Sequence, residues 1–297
     1  MPSISSMLKR LKSFKVLLLF LAIFALSCDS EIEEGVMKSD LNKDIELVTS
    51  YGSIIMRLSD ETPKHRNNFI KLVNQKFYDS LSFHRVIQNF IIQTGDPESK
   101  REKSEKELGA SDLPYRVPAE FKPNLFHKRG ALNAAREGDN ENPLQASSST
   151  QFTIVQGRVY NDSTLDYALS RVNNWLAYNK IILKPEHKIK FEELQNIIKN
   201  RNTTKIKIYE SIKNELDSLA KIEVEIMDNY AYPQTHREVY KTLGGAAHLD
   251  QNYTVFGEVI NGMDVVDSIA AVSTNERDKP INDVRIITAR LIKRKEY

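Results

Sequence analysis

Residues 83–97 read Phe-His-Arg-Val-Ile-Gln-Asn-Phe-Ile-Ile-Gln-Thr-Gly-Asp-Pro and set one arginine and a run of aromatic and aliphatic residues close together. A guanidinium keeps its charge at any accessible pH and only donates hydrogen bonds, so Arg85 offers fixed positive charge rather than proton transfer. His84 titrates, but no acid or nucleophile stands near it in sequence, which favours a hydrogen-bonded packing role over catalysis. His127 and His248 show no metal-ligand spacing, so neither a metal nor a cofactor is expected.

Three further blocks follow in order. Residues 126–137 read Phe-His-Lys-Arg-Gly-Ala-Leu-Asn-Ala-Ala-Arg-Glu. Residues 148–152 read Ser-Ser-Thr-Gln-Phe. Residues 249–259 read Leu-Asp-Gln-Asn-Tyr-Thr-Val-Phe-Gly-Glu-Val. Together with residues 83–97 they resemble the ordered signature blocks of the cyclophilins, across most of 44–158 and 241–297. One Phe-His-Arg tripeptide would be weak evidence; four blocks in the right order are specific.

The resemblance implies a peptidyl-prolyl cis-trans isomerase acting on proline-containing unfolded or folding polypeptides. Amide resonance sets a rotation barrier of about 18–20 kcal/mol, and X-Pro bonds isomerise unaided in tens of seconds. Catalysis then needs no covalent step, only preference for the twisted amide, whose pyramidal prolyl nitrogen accepts a hydrogen bond. Arg85 matches the family's catalytic arginine, a role lysine could not fill with the same geometry. Phe90, Ile91 and Leu249 match the lining of the proline slot, and Tyr253 stands where relatives carry His or Tyr. Gln93 matches the glutamine that bonds the substrate backbone. Ala135 and Arg136 lie on the strand that pairs with the peptide, and Gln151 matches a further polar position. Two places depart from the pattern. Thr153 replaces a usual aromatic wall, which implies a more open pocket and weaker activity. His248 stands at the tryptophan position tied to cyclosporin binding, which implies poor sensitivity to that ligand. A second reading is a cyclophilin-fold chaperone or binding module with weak catalysis, its clients held by a helical insertion.

The elements that must position these residues show in the periodicity. Ile45–Val48, Ile54–Leu58, Phe83–Ile87, Phe90–Thr94, Gly130–Ala134, Gln151–Val155, Tyr253–Val259 and Val284–Ile292 read as strands. Thr62-Pro63 opens a helix over about 63–75, and a short helix lies near Met263–Ala271. Eight strands and two helices suggest a mainly β fold: a closed, eight-stranded antiparallel cyclophilin-like barrel capped by the two helices. Between Gly157 and Gly244 the chain has no glycine, and 161–239 carries 12 basic and 12 acidic residues at helical spacing. This predicts an α-helical insertion with helices near 164–179, 186–199 and 204–228. In the last, Ile208, Ile212, Leu216, Leu219, Ile222 and Ile226 would form one apolar stripe.

The N-terminus predicts an address. Residues 1–27 carry Lys9, Arg10, Lys12 and Lys15, then the apolar run Val16–Leu26, too short to span a bilayer. Cys28, the only cysteine, follows as in a bacterial lipoprotein, although Ala25 stands where such signals usually have leucine. The expectation is a signal peptide over 1–27, lipidation at Cys28, and a flexible tether over 28–43. The cyclophilin-like domain would then comprise 44–160 and 240–297, split by the insertion at 161–239. The product would be a monomer in the cell envelope, anchored to a membrane and facing the periplasm or cell surface. Without residues 1–27 the chain holds 38 basic and 40 acidic residues, which speaks against a nucleic-acid partner.

Overall fold

The computed structural model describes residues 30–101 and 108–296. The expected signal peptide over 1–27 and Cys28 lie outside the described residues.

Folding starts earlier than the acidic, aperiodic N-terminal sequence suggests. Glu31–Glu33 (β1) and Val36–Met37 (β2) pair antiparallel, and Lys38–Asn42 form a 3-10 turn. Residues 30–43 are therefore no flexible tether. Val36 is fully buried in the main core, and the acids find partners on the helix Pro63–Asn74 (α1). Lys71 Nζ reaches Glu34 at 2.7 Å, and Asn67 Nδ2 donates to Glu33 at 2.8 Å. One buried valine and a few paired acids are too sparse a signal for periodicity to register.

The main sheet uses Lys43–Thr49 (β3), Gly52–Leu58 (β4), Arg85–Ile87 (β5), Ile91–Thr94 (β6), Ala131–Ala134 (β8), Phe152–Val155 (β10), Val255–Asn261 (β11) and Ile286–Lys293 (β12). Arg116–Val117 (β7) and Ser147–Ser148 (β9) pair separately. The order is β12-β3-β4-β11-β8-β10-β6-β5, antiparallel throughout. The expected closed barrel is corrected here to a half-barrel sheet: β12 and β5 are edges, and no ladder joins them. Isolated contacts span the gap, among them the Ser82–Arg285 bridge and Phe83 N–H to Val284 O at 2.9 Å. Ser80 N–H to Ile286 O at 2.9 Å and Ile286 N–H to Leu81 O at 2.8 Å add to these, without a continuous ladder.

Period-two alternation divides the two faces of the sheet. Val86, Ile92, Ile154 and Leu132 are register partners across four adjacent strands and all enter the main core. Phe69 of α1 packs on Tyr78, Phe152 and Phe256 there. The helix Met263–Ala270 (α6) adds Val266 and Ile269.

Four helices lie between β10 and β11: Asp162–Ile182 (α2), Lys188–Lys199 (α3), Ile206–Ile226 (α4) and Gln234–Thr242 (α5). Asn161 and Thr164 cap the start of α2 reciprocally, each side chain accepting the other's backbone N–H at 2.9 Å. A second core forms among Ala177, Ile181, Phe191, Leu194, Ile212 and Leu216. The stripe predicted on α4 is only half buried: Ile208, Ile222 and Ile226 are exposed. The buried line turns instead through Ala220 and Glu223, whose carboxylate takes Lys180 at 2.6 Å and Lys184 at 2.8 Å. Helix α5 was not legible in the sequence, because nine residues with two buried side chains, His236 and Tyr240, show little periodicity. The helical segment leaves and returns at one point. Arg158 and Gly245 exchange backbone hydrogen bonds at 3.1 and 3.0 Å. A Cβ on Gly157 would stand 2.5 Å from Gly245 Cα, so the glycines bound the segment because two backbones touch there.

Candidate active site

The face of the sheet opposite the main core carries a second row. Arg85, Gln93, Thr153 and Asn133 are successive register partners on β5, β6, β10 and β8. Strand alternation puts all four on one side, where they line a cleft of ≈ 420 Å³ together with Phe90, Ile91, Ala135, Arg136, Leu249 and Tyr253. The cleft thus gathers nine of the eleven residues picked from sequence for the catalytic and substrate-binding positions. Gln151 and His248 stand beside it.

The polar groups are held from behind. Gln93 Nε2 donates to Gln151 Oε1 at 3.1 Å, and Gln151 Nε2 donates to the carbonyls of Gly109 (3.0 Å) and Ser111 (2.8 Å). That loop hangs on fully buried Asp96, which accepts from the N–H groups of Gly109 and Ser111. Gly95 lets β6 and the 150–151 backbone meet: its φ is +104, and a Cβ would lie 2.2 Å from Thr150 O. Arg85 is half exposed, with Nε 3.5 Å from Asp278 Oδ2.

Thr153 is buried, and its hydroxyl donates to Asn133 Oδ1 at 2.6 Å. The wall expected to be open is thus part of a small buried polar pair. Asn133 was missed in the sequence, although it lies on β8 two residues before Ala135, which directly follows that strand. Gly109, Ala110 and Arg277 also line the cleft and were not foreseen. They come from loops, whose side-chain direction follows no period.

Of Ala135 and Arg136, the first spends both backbone groups inside the fold: its N–H goes to Gln151 O and its carbonyl takes Ser148 N–H. The Arg136 side chain is also committed. Its guanidinium lies 2.7 Å from Asp139, donates from Nε to Asn252 O at 2.6 Å, and covers the Tyr253 ring at 4.9 Å.

Two histidines depart from expectation. His84 is buried; among the described residues its ring nitrogens make no hydrogen bond of good geometry, although the Gln151 side chain lies close enough to favour the charged ring. Burial pushes its pKa down to about 4, with Asp96 opposing and Arg85 assisting. His248 does not line the cleft. Its ring lies 5.2 Å from Phe90 on one side and 6.4 Å from Trp175 of α2 on the other. Desolvation, with Arg171 next in weight, lowers its pKa to about 3. The helical segment therefore supplies the tryptophan that covers the Phe90–His248 flank.

The loop holding Leu249 is fixed by a buried carboxylate. Asp250 accepts from His127 backbone N–H at 2.9 Å, pairs with His127 Nδ1 at 2.7 Å, and accepts Tyr240 O–H at 2.9 Å. Among the described residues no cluster of three His, Cys, Asp or Glu side chains could hold a metal.

Comparison with known proteins identifies the family. The family model for cyclophilin type peptidyl-prolyl cis-trans isomerases matches residues 44–183 and 195–291. A Staphylococcus aureus protein named as a peptidyl-prolyl cis-trans isomerase is 26% identical over 259 residues, covering 87% of this chain and 93% of its own length. A Streptococcus pyogenes protein named as a bifunctional phosphatase/peptidyl-prolyl cis-trans isomerase is 28% identical over 247 residues. The match takes in 82% of this chain but only 37% of that longer protein. A solved Cryptosporidium parvum cyclophilin type isomerase is 17% identical, with a TM-score of 0.49 over 85% of this chain and 99% of its own. The family model spans most of the sequence and includes every strand of the cleft: the chain belongs to the cyclophilin-type peptidyl-prolyl cis-trans isomerase family.

Proposed function

We propose that the protein accelerates cis-trans isomerisation of X-Pro bonds in exported polypeptides, by a non-covalent mechanism centred on Arg85. The observation that carries this is the row Arg85–Gln93–Thr153–Asn133 above an apolar slot of Phe90, Ile91 and Leu249. The slot holds the proline ring by apolar contact, and Tyr253 closes one side of it. Gln93, oriented by Gln151, bonds the substrate carbonyl side. The backbone of Arg136 is the strand edge that pairs with the peptide, since that of Ala135 is already bonded within the fold. Arg85 donates to the prolyl nitrogen as resonance is lost. This interaction is stronger in the twisted state than in either planar isomer, which is the requirement for catalysis. No proton is transferred and no bond breaks.

The setting is proposed with it: export by residues 1–27, lipidation at Cys28, and action at a membrane surface by a single chain. The helical segment is read as an insertion into the cyclophilin fold. Among the described residues no helix is long and apolar enough to cross a membrane.

The test is Arg85→Ala in a proline-peptide isomerisation assay. Turnover should fall roughly a hundredfold to a thousandfold, the usual loss for one preorganised transition-state donor, and Arg85→Lys should recover little of it. Wild-type-like turnover in the alanine variant would sink the mechanism and leave the binding-module reading in place.

A further inference from the structure

A second, larger groove opens beside the cleft, ≈ 930 Å³ in volume, between residues 136–141 and the helices α2 and α4. Arg136 and Tyr253 line both spaces. The guanidinium stacked on the Tyr253 ring is thus the ridge between them, and a chain crossing that ridge passes from one into the other.

The groove's chemistry narrows what it takes. Its aromatic walls are Trp175, Tyr178, Tyr209 and Tyr253, and its amides and hydroxyl are Asn140, Asn174, Asn214 and Ser218. Arg136 is paired with Asp139 and Lys213 with Asp217. The remaining lining charges, Glu141 and Lys221, are opposite in sign. Neutralised charge excludes an anion-binding site. Aromatic faces alternating with side-chain amides suit an extended peptide, whose backbone bonds the amides and whose uncharged side chains pack on the rings.

We propose that this groove is a second subsite for the same polypeptide substrate, taking several uncharged residues on one side of the proline. The inference rests on the isomerase reading for the identity of the occupant. The helical segment then supplies one wall of an extended substrate channel, and longer clients bind more tightly than the residues around X-Pro alone.

The experiment compares a short X-Pro peptide with versions lengthened on its N-terminal or C-terminal side by about eight residues, enough to span some 26 Å when extended. Added residues are uncharged and include aromatics. One lengthened peptide should show a KM at least about tenfold lower, equivalent to about 1.4 kcal/mol. Asn214→Arg with Ser218→Arg, both exposed on α4, should abolish that gain and leave the short peptide unchanged. Asn214→Ala serves as the mild variant, with a smaller loss in the same direction. Equal KM values for all peptides, or equal losses for short and long peptides in the double variant, overturn the proposal. The sole tryptophan, Trp175, lines the groove, so its fluorescence should shift with the lengthened peptide and not with the short one. That binding readout separates the two ideas. A fluorescence shift without turnover sinks the isomerase reading alone, and turnover without a length effect or a shift sinks the groove alone.

Discussion

His84 shows how much a single buried side chain can decide. Its pKa falls from the ordinary 6.5 to about 4 through desolvation, so between those values the unfolded chain binds a proton that the native chain refuses. Stability is therefore flat above pH 6.5 and declines as pH falls toward 4. The slope for one such group is at most about 1.4 kcal/mol per pH unit. Between neutral and mildly acid pH the urea midpoint should fall less in His84→Gln than in wild type; identical pH dependence would refute the assignment. At this scale the sequence was legible where residue type sets the chemistry. Arg85, Phe90, Ile91, Gln93 and Leu249 all reach the cleft. It was illegible where tertiary partners set the role. The Thr153–Asn133 bond and the Trp175 cover over His248 both depend on residues distant in sequence.

Among the elements, strands were read more accurately than their closure. Alternation fixes which face each strand turns inward, so the row behind the cleft followed once register was known. The open edge between β5 and β12, crossed only by isolated contacts, is a tertiary feature that no hydrophobic pattern carries. Helix α5 matters beyond its nine residues, because its Tyr240 hydroxyl reaches Asp250 behind Leu249. Tyr240→Phe should lower unfolding free energy by about 1.5–3 kcal/mol, the range for a lost hydrogen bond to a charged group. It should also raise KM for a short X-Pro peptide as Leu249 loosens. A loss well below 1 kcal/mol by denaturant titration would show that His127 alone holds the carboxylate.

At the scale of the molecule, one core lies under the sheet and another within the helices, while a smaller cluster of Ile91, Leu249 and Val255, with Phe90 and Trp175 packed on it, lies at the cleft. Replacing 161–242 by a short glycine-rich link is sterically simple, since Arg158 and Gly245 already pair. Yet the excised chain would lose Trp175 from the Phe90–His248 flank and Tyr240 from Asp250. It should be less stable by at least about 3 kcal/mol, as for deleting a large aromatic from a core, with reduced turnover even of short peptides. Full retention of both would make the helices a detachable accessory.

That backbone pair also bears on how the chain folds. β10 ends at Val155 and β11 begins at Val255, yet both must flank β8. Closing such an interval as a free loop costs about 4 kcal/mol of chain entropy, and long-range pairings of this kind slow folding. Were Tyr160, Leu165 and Tyr240 to pack together before the sheet is complete, they would bring Arg158 to Gly245 early. Strand β11 would then meet β8 as a nearby neighbour, and the helices would serve as a folding staple for the sheet.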